Sequence, residues 1–578
     1  MRLRRHVPLL QSTLKHVSTG QFAPSLCVRC RRYASSATYP ENIAVLGGGI
    51  SGLASAHFIS KEFPNSKITV YESDKDTGGW IQSRREDVPG GNVLFEHGPR
   101  TLRPGPNCMP TAQLIQDLDL LDNVLYSKRT SVGAKNRFIY YPDRLNQLPS
   151  PGEPPQLGNI IDLWRSGLLA GVFSTLLEPW RPPRPHNLVD ESIGSFITRR
   201  TDKRIANNVV SAVMHGIYAG DVWQLSARTL LAQAWKLEGL HGSVWRGMFN
   251  VNSESPHSEQ VALSHPYDHD ALRAMREDIS LDNKFVDLLG ESTMFSFRNG
   301  LQELIKALQR KLEGNGQVEF KLETRARDLK YIAGAEPKVE LIAEKNLEQE
   351  NLEQTTQKYD LVISSLPDKS LAPYVTVMTV NLFFPKPGLL PVQGFGYLIP
   401  QSIPFEQNPE RALGVIFDSY TVTGQDTASG TKLTVMLGGH WWNDWTHFPD
   451  QNEGVELARS VIRRHLHITD DPIRAHVNLS EDCIPQYTVG YDDRLKAFAQ
   501  KVRDDYRGRV RMVGNLYHGV GVNDCVKAAW LVARGLRGNG WKEWGTGLER
   551  ALDEREWVAV PMGQGMGTRG RSRVGKSG

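Results

Sequence analysis

Apolar residues recur along this chain in two rhythms, and the alternation between them outlines its architecture. Short unbroken runs, Ile43-Ala44-Val45-Leu46, Ile68-Thr69-Val70-Tyr71 and Leu361-Val362-Ile363, have the length and composition of strands buried on both faces. Helical spacing follows Gly300-Leu301 and returns over 525–536, where Asn523 or Asp524 is placed as the cap. Two more strands are predicted at 317–320 and 339–342, with a charged linker over 344–358. From 380 to 439 strands and turns alternate, the pattern of a sheet in a separate domain.

Other stretches break these rhythms. Asn136-Arg137-Phe138-Ile139-Tyr140-Tyr141 predicts a short aromatic strand bearing one cation. Residues 150–186 are proline-rich at both ends, and 160–173 between them carry more apolar side chains than one buried face needs. Such a helix suits either a core or a bilayer interface, and the residues alone favour the core. In 209–225, Gly216, Ala219 and Gly220 interrupt a helical pattern and allow close approach of a helix or a flat ligand. Residues 250–290 are polar throughout and predict a surface excursion, and the chain beyond Trp544 predicts a disordered tail.

The first two strands flank the main chemical signal. Gly47-Gly48-Gly49-Ile50-Ser51-Gly52 links strand to helix, and the second strand ends at Glu72. Gly47 permits a tight turn, Gly49 lets backbone approach a pyrophosphate, and Gly52 allows close packing of helix on strand. The helix N-terminus then offers N–H donors and positive dipole to the anion, while Glu72 is placed to hold a ribose diol. Gly78-Gly79-Trp80 follows soon after, a second glycine pair that resembles the second fingerprint of FAD-binding oxidoreductases, where an NAD-only domain would run into another strand and helix. Taken by itself, Arg100 in Phe95-Glu96-His97-Gly98-Pro99-Arg100-Thr101 reads as a solvated loop arginine.

At 578 residues the chain exceeds one core and predicts two or three domains. Its composition, 40% hydrophobic and 23% charged, is that of a globular protein, and a net charge of +4 over this length points to no nucleic-acid partner. The five cysteines are scattered; Cys27 and Cys30 form an isolated C-x-x-C, and neither a metal site nor a disulfide framework is predicted. Residues 1–38 are rich in Arg, Ser and Thr without an acid, the signature of a mitochondrial presequence. No apolar run is long enough to predict a membrane-spanning helix.

In this order, GGGISG, GGW, FEHGPR, NRFIY, GIYAGDVWQLS, PVQGFGYLIP, CIPQYTVG and GVGVNDC resemble the protoporphyrinogen oxidases of mitochondrial type, within the flavin amine oxidase-like superfamily. The resemblance covers about 42–536. It implies an α/β fold of several domains: a Rossmann-like FAD-binding domain (39–128, 292–368, 505–545), an inserted mixed-sheet substrate domain (129–150, 226–291, 369–504) and a helical membrane-facing domain (151–225), with 546–578 as tail.

By motif match, Gly47, Gly48, Gly49, Ile50, Ser51, Gly52, Glu72, Ser73, Trp80, Gly98, Pro99, Arg100, Thr101, Val318, Asn515, Val520, Gly521 and Val522 are implied as FAD contacts. Arg137 is implied as the anchor of a substrate propionate, with Phe395 and Gly220 lining the tetrapyrrole cavity. The activity implied is six-electron oxidation of protoporphyrinogen IX by dioxygen, with hydride passing to flavin and no side-chain base assigned. The resemblance also implies peripheral attachment to the mitochondrial inner membrane from the intermembrane-space side, a homodimer, and contact with ferrochelatase. An oxidase for amines or polyenes and a non-catalytic binding protein are the alternatives, and Arg137 and the intact glycine motif count against them. The chain departs from the family between Pro367 and Val380, where Asp368 to Thr379 replace a stretch longer by roughly fifteen residues that walls the family's pocket.

Overall fold

The computed structural model describes residues 39–150, 157–253, 261–347 and 351–561. The predicted presequence, Cys27, Cys30, and Pro151, Pro154 and Pro155 lie outside the described residues.

The three apolar runs form a parallel sheet. Its strands stand in the order Val318–Lys321, Lys67–Tyr71, Asn42–Leu46, Leu361–Ser364, Val510–Met512, all parallel. Helix Ile50–Glu62 lies on one face against Val522–Asn539 and Gln302–Glu313. The last of these turns Leu304, Ile305, Leu308 and Leu312 into the core, each worth roughly 1.5–3 kcal/mol on burial. On the other face a three-stranded antiparallel sheet, Thr324–Ile332, Lys338–Leu347 and Asn351–Tyr359, packs with helix Tyr491–Tyr506.

A second, seven-stranded sheet runs Arg474–Pro485, Tyr374–Phe384, Thr431–Gly438, Ala412–Ile416, Gly396–Leu398, Phe138–Tyr140, Leu145–Gln147. Gly396–Leu398 pairs in parallel with Phe138–Tyr140, and the remaining pairs are antiparallel. The long strand Tyr374–Phe384 divides its side chains by the period of two. Met378, Val380, Leu382 and Phe384 pack into the core that helix Gln451–Leu466 closes. Thr379 and Phe383 turn to the nucleotide domain, where Thr379 Oγ1 donates to the His97 carbonyl at 2.8 Å and Phe383 packs on Phe95.

Four sequence expectations are corrected. In the charged stretch 344–358 the described residues, 344–347 and 351–358, are not a linker but parts of two paired antiparallel strands, the first of which buries Val339, Leu341 and Ala343. Residues 266–291 are not a surface excursion of the substrate domain. Helices Pro266–Asp278 and Asn283–Glu291 bury Ala274, Met275, Phe285 and Leu289 in the nucleotide-domain core. The tail begins later than 546, because Glu549–Leu552 is helical and Val558–Pro561 pairs with Val261–Ser264. Finally, 160–173 is not core: Ile160, Ile161, Trp164 and Phe173 are exposed, and only Leu163 and Leu168 are buried in this stretch among its large apolar residues.

Candidate functional site

The glycine turn has the geometry its spacing requires. Gly47 has φ +97, and a Cβ on Gly52 would stand 1.9 Å from the Gly47 carbonyl oxygen, so helix and turn touch backbone to backbone. Gly49 is different: a Cβ there meets nothing within 4 Å, and the side of the turn it occupies is open. Helix Ile50–Glu62 begins on Gly49 with no side-chain cap. Helix Val522–Asn539 begins on Gly521, also uncapped, and its Cys525 thiol lies against the Ser51 hydroxyl, so the two first turns are neighbours. Two adjacent helix N-termini without caps leave N–H donors for an anion.

Glu72 is buried and faces backbone donors rather than a cation: its Oε2 accepts from Gly48 N–H at 2.6 Å, and its Oε1 from Asp74 N–H at 2.9 Å and the Ser73 hydroxyl at 3.1 Å. The second glycine pair joins the first directly, since Gly78 N–H donates to the Gly48 carbonyl at 2.9 Å. Gly98 packs on Trp80, whose carbonyl oxygen is 2.0 Å from where a Cβ would be, and Pro99 to Thr101 continue from there. Asn515 opens the short helix Asn515–His518, with its Nδ2 donating to the Cys483 carbonyl at 3.3 Å, and Val520 stands between Gly519 and Gly521 just before the second helix.

Val318 does not join this group. It is buried in the core opposite Ile68, at the far end of the strand from Glu72. The same segment reaches the acid six residues later, where Thr324 N–H donates to the Glu72 carbonyl at 2.8 Å. The sequence signal for this was the turn Leu322-Glu323 after the strand, which a strand-based match passes over. Arg100 is likewise committed elsewhere: its guanidinium pairs with Asp418 at 2.6 Å and donates to Thr434 Oγ1 at 3.0 Å, with both charged side chains nearly buried. It thereby clamps the 98–101 loop to the substrate sheet. Glu96, just before that loop, caps helix Gln302–Glu313 through Leu301 N–H at 2.8 Å; burial pushes its carboxyl up to about 7 despite the Ser83 and Leu301 donors.

Arg137 and Phe395 are brought together by one strand pairing. Phe395 N–H donates to the Asn136 carbonyl at 2.9 Å, and Gly396–Leu398 then runs beside Phe138–Tyr140. The Arg137 guanidinium is half-buried and makes no hydrogen bond or ion pair among the described residues; burial, with the Arg103 charge, holds it below its ordinary value. Gly220 reaches the same sheet through helix Ser211–Tyr218, whose Gly216 leaves about a carbon's width for Leu398. Its own missing side chain makes room for Gln486, whose Oε1 is 2.2 Å from the built Cβ.

Beside this helix lies a pair that sequence reasoning missed. His215 Nδ1 is 2.6 Å from the Ile399 carbonyl and His215 Nε2 is 2.8 Å from His440 Nε2. A carbonyl only accepts, so His215 carries its proton on Nδ1, and His440 must donate from Nε2. Burial pushes His215 down to about 3 and His440 to about 4, so both rings are neutral at pH 7. Nothing in the spacing of two histidines 225 residues apart announces the contact.

A parallel nucleotide sheet with paired open helix N-termini, clamped to a mixed sheet beside which the Arg137 guanidinium stands unpaired among the described residues, is the architecture of a flavin-dependent oxidoreductase. The sequence model of the flavin containing amine oxidoreductases matches residues 50–537. The protoporphyrinogen oxidase of Schizosaccharomyces pombe is 32% identical over 515 residues, covering 86% of this chain and 98% of that relative. That of Homo sapiens is 29% identical over 527 residues with the same coverage. The chain belongs to the flavin containing amine oxidoreductase family, on its protoporphyrinogen oxidase branch. Among solved structures, cyclohexylamine oxidase from Brevibacterium oxydans has the same fold, with a TM-score of 0.54 at 13% identity over 87% of this chain and 99% of that one. The cofactor is FAD, and the uncapped helix starts, the open Gly49 and the buried Glu72 without a cationic partner fit a dinucleotide.

Proposed function

We propose that this chain catalyses the oxygen-dependent six-electron oxidation of protoporphyrinogen IX to protoporphyrin IX, releasing hydrogen peroxide, as a step of haem biosynthesis. The observation that carries the substrate reading is Arg137, a half-buried guanidinium left without a carboxylate beside Phe395. Leaving a cation partly desolvated and unpaired is costly in a folded protein, and an acidic side chain of the substrate offsets that cost. When bound, FAD accepts a hydride and delivers electrons to dioxygen. The chain contributes position: Arg137 holds an acidic edge, Phe395 packs on a flat ring, and the Arg100–Asp418 pair keeps the cofactor loop at a fixed distance from the substrate sheet.

In this reading the residues implied as cofactor contacts hold FAD as follows. Gly47 to Gly52 and Gly521-Val522 serve the diphosphate, Glu72 and Ser73 a ribose, and Trp80, Gly98, Pro99, Thr101, Asn515 and Val520 the flavin end, while Arg100 holds its loop through Asp418. The protein lies on the mitochondrial inner membrane, facing the intermembrane space. Support comes from the basic acid-free leader and from the large exposed apolar side chains Trp164, Phe173, Leu176 and Trp180. A homodimer and a contact with ferrochelatase belong to the same reading through the family resemblance. Aerobic appearance of porphyrin fluorescence from protoporphyrinogen, above a no-enzyme control for autoxidation, tests the activity; no excess over that control overturns it.

A further inference from the structure

Arg137 is not the only cation at the substrate cleft that lacks an acid. Arg103 leaves the nucleotide-domain loop with its side chain exposed, and its carbonyl accepts from Asn523 Nδ2 at 3.0 Å, at the start of the second open helix. Its guanidinium makes no hydrogen bond or ion pair among the described residues. The loops bearing the two arginines meet over the short helix Asp418–Thr421. Arg100, just ahead of Arg103, pairs with Asp418 at 2.6 Å. Gly133, just ahead of Arg137, is pressed on the Tyr420 carbonyl, which would be 2.1 Å from a Cβ. The Arg103 charge is felt at Arg137, where it adds to the effect of burial.

Two guanidiniums that feel each other's charge, neither holding a carboxylate among the described residues, repel each other and return nothing to the fold. Arg100, Arg199, Arg200 and Arg464, which are like Arg137 largely withdrawn from solvent, each hold an Asp or Glu, whereas the buried Arg511 is satisfied by the backbone carbonyls of Gly508, Glu543 and Gly545 and the buried Arg509 lies over the Trp541 ring. A ligand bearing two carboxylates relieves the repulsion and satisfies both forks.

We propose that Arg103 is a second carboxylate anchor, so that Arg103 and Arg137, reaching from the two domains, select a tetrapyrrole with two acidic side chains and set its rotation in the plane of the ring. This rests on the oxidation proposed above, in which the substrate carries two propionates. Arg137, half-buried, supplies most of the attraction. Arg103, exposed at the mouth, chooses which edge enters first.

The test measures KM and kcat of FAD-loaded parent, Arg103→Ala, Arg103→Lys and Arg137→Ala with protoporphyrinogen IX and with its dimethyl ester. In parallel, anaerobic binding of protoporphyrin IX is followed by quenching of tryptophan fluorescence. For the diacid, Arg103→Ala is expected to raise KM roughly three- to fivefold with kcat within about twofold, as befits an exposed pair. Arg137→Ala is expected to lower kcat/KM roughly ten- to a hundredfold. Arg103→Lys keeps most of the parent's KM, and the diester erases the difference between parent and Arg103→Ala. An unchanged KM for the diacid in Arg103→Ala, or an equal rise with the diester, overturns the anchor. Loss of the flavin absorbance in that variant also overturns it, by assigning Arg103 to the cofactor. A parent that neither oxidises nor binds the tetrapyrrole overturns the function itself, and the anchor with it.

Discussion

At Gly49 the site uses the absence of a side chain: no atom lies within 4 Å of a built Cβ, so substitution there costs the fold little and the anion much. Gly49→Asp is expected to fold, with an unchanged thermal transition of the apoprotein, and to be purified colourless, because a carboxylate would meet the diphosphate. A yellow variant with full flavin stoichiometry would contradict the assignment of this turn. The His215–His440 pair gives a second expectation. Both rings have folded-state values depressed from about 6.5, to about 3 and about 4, so the native state binds fewer protons than the unfolded chain between those limits. Their contribution to stability is full above pH 6.5 and is lost as pH falls toward 4, by an amount on the order of 3 kcal/mol for a single histidine. The urea midpoint should therefore drop between pH 7.5 and 4.5, and His440→Gln should flatten that drop; an equally steep profile in the variant would remove the pair as its cause.

The segment Val172–Trp180 shows how an exposed apolar element is held on the folded body. Phe173, Leu176 and Trp180 point outward, while Glu178 in their midst is buried and gathers donors from two other elements. Its carboxylate accepts from Arg200 Nε at 2.8 Å, Ser243 Oγ at 2.6 Å, Val244 N–H at 3.0 Å and Trp245 N–H at 3.2 Å, capping helix Val244–Ser253. Burial alone would raise this carboxyl, and the donors more than reverse it, holding it below the usual range. Glu178→Ala takes one of two carboxylates from the Arg200 guanidinium, which is 1% exposed and keeps Glu238 at 3.3 Å, leaves its Nε without an acceptor, and removes the helix cap. An expected loss on the order of 3–5 kcal/mol follows, read from urea unfolding. A loss under about 1 kcal/mol, the range of surface pairs, would mean the node relaxes into solvent.

At the scale of the whole molecule, Trp164, Phe173, Leu176, Leu177, Trp180 and Phe249 are among the exposed large apolar side chains, and no helix among the described residues is long and apolar enough to cross a membrane. That combination predicts attachment to a bilayer surface: the protein should sediment with membranes at physiological salt and be released by detergent. Phe173→Ser with Trp180→Ser should weaken flotation with lipid vesicles more than tenfold, since each buried aromatic side chain is worth roughly 1.5–3 kcal/mol. Recovery of the parent in the soluble fraction after lysis would count against this placement.

How much of this was legible before the fold was in hand depends on the range of the interaction concerned. The parallel sheet, the glycine turn, Glu72 and the second glycine pair are local patterns, where strand period, helix start and backbone freedom are decided within a few residues. The placing of Val318 failed because a strand pattern does not reveal which end of the strand faces the ligand. The strand pairing of 344–347 with 351–354 was hidden by its charged side chains, and the helices within 266–291 by polar faces that outnumber their few buried positions. Whether 160–173 enters the core or faces outward is a question of what covers it, and no local spacing answers that. The commitment of Arg100 to Asp418, the contact of His215 with His440 and the solitude of Arg137 join or separate residues hundreds of positions apart. Sequence by itself determined the glycine turn, the helix that starts on it and the acid that ends the second strand, because these are built from one short stretch of backbone; only the tertiary structure decided which charges are spent on the fold and which are left unpaired among the described residues, because pairing is settled by packing between distant segments.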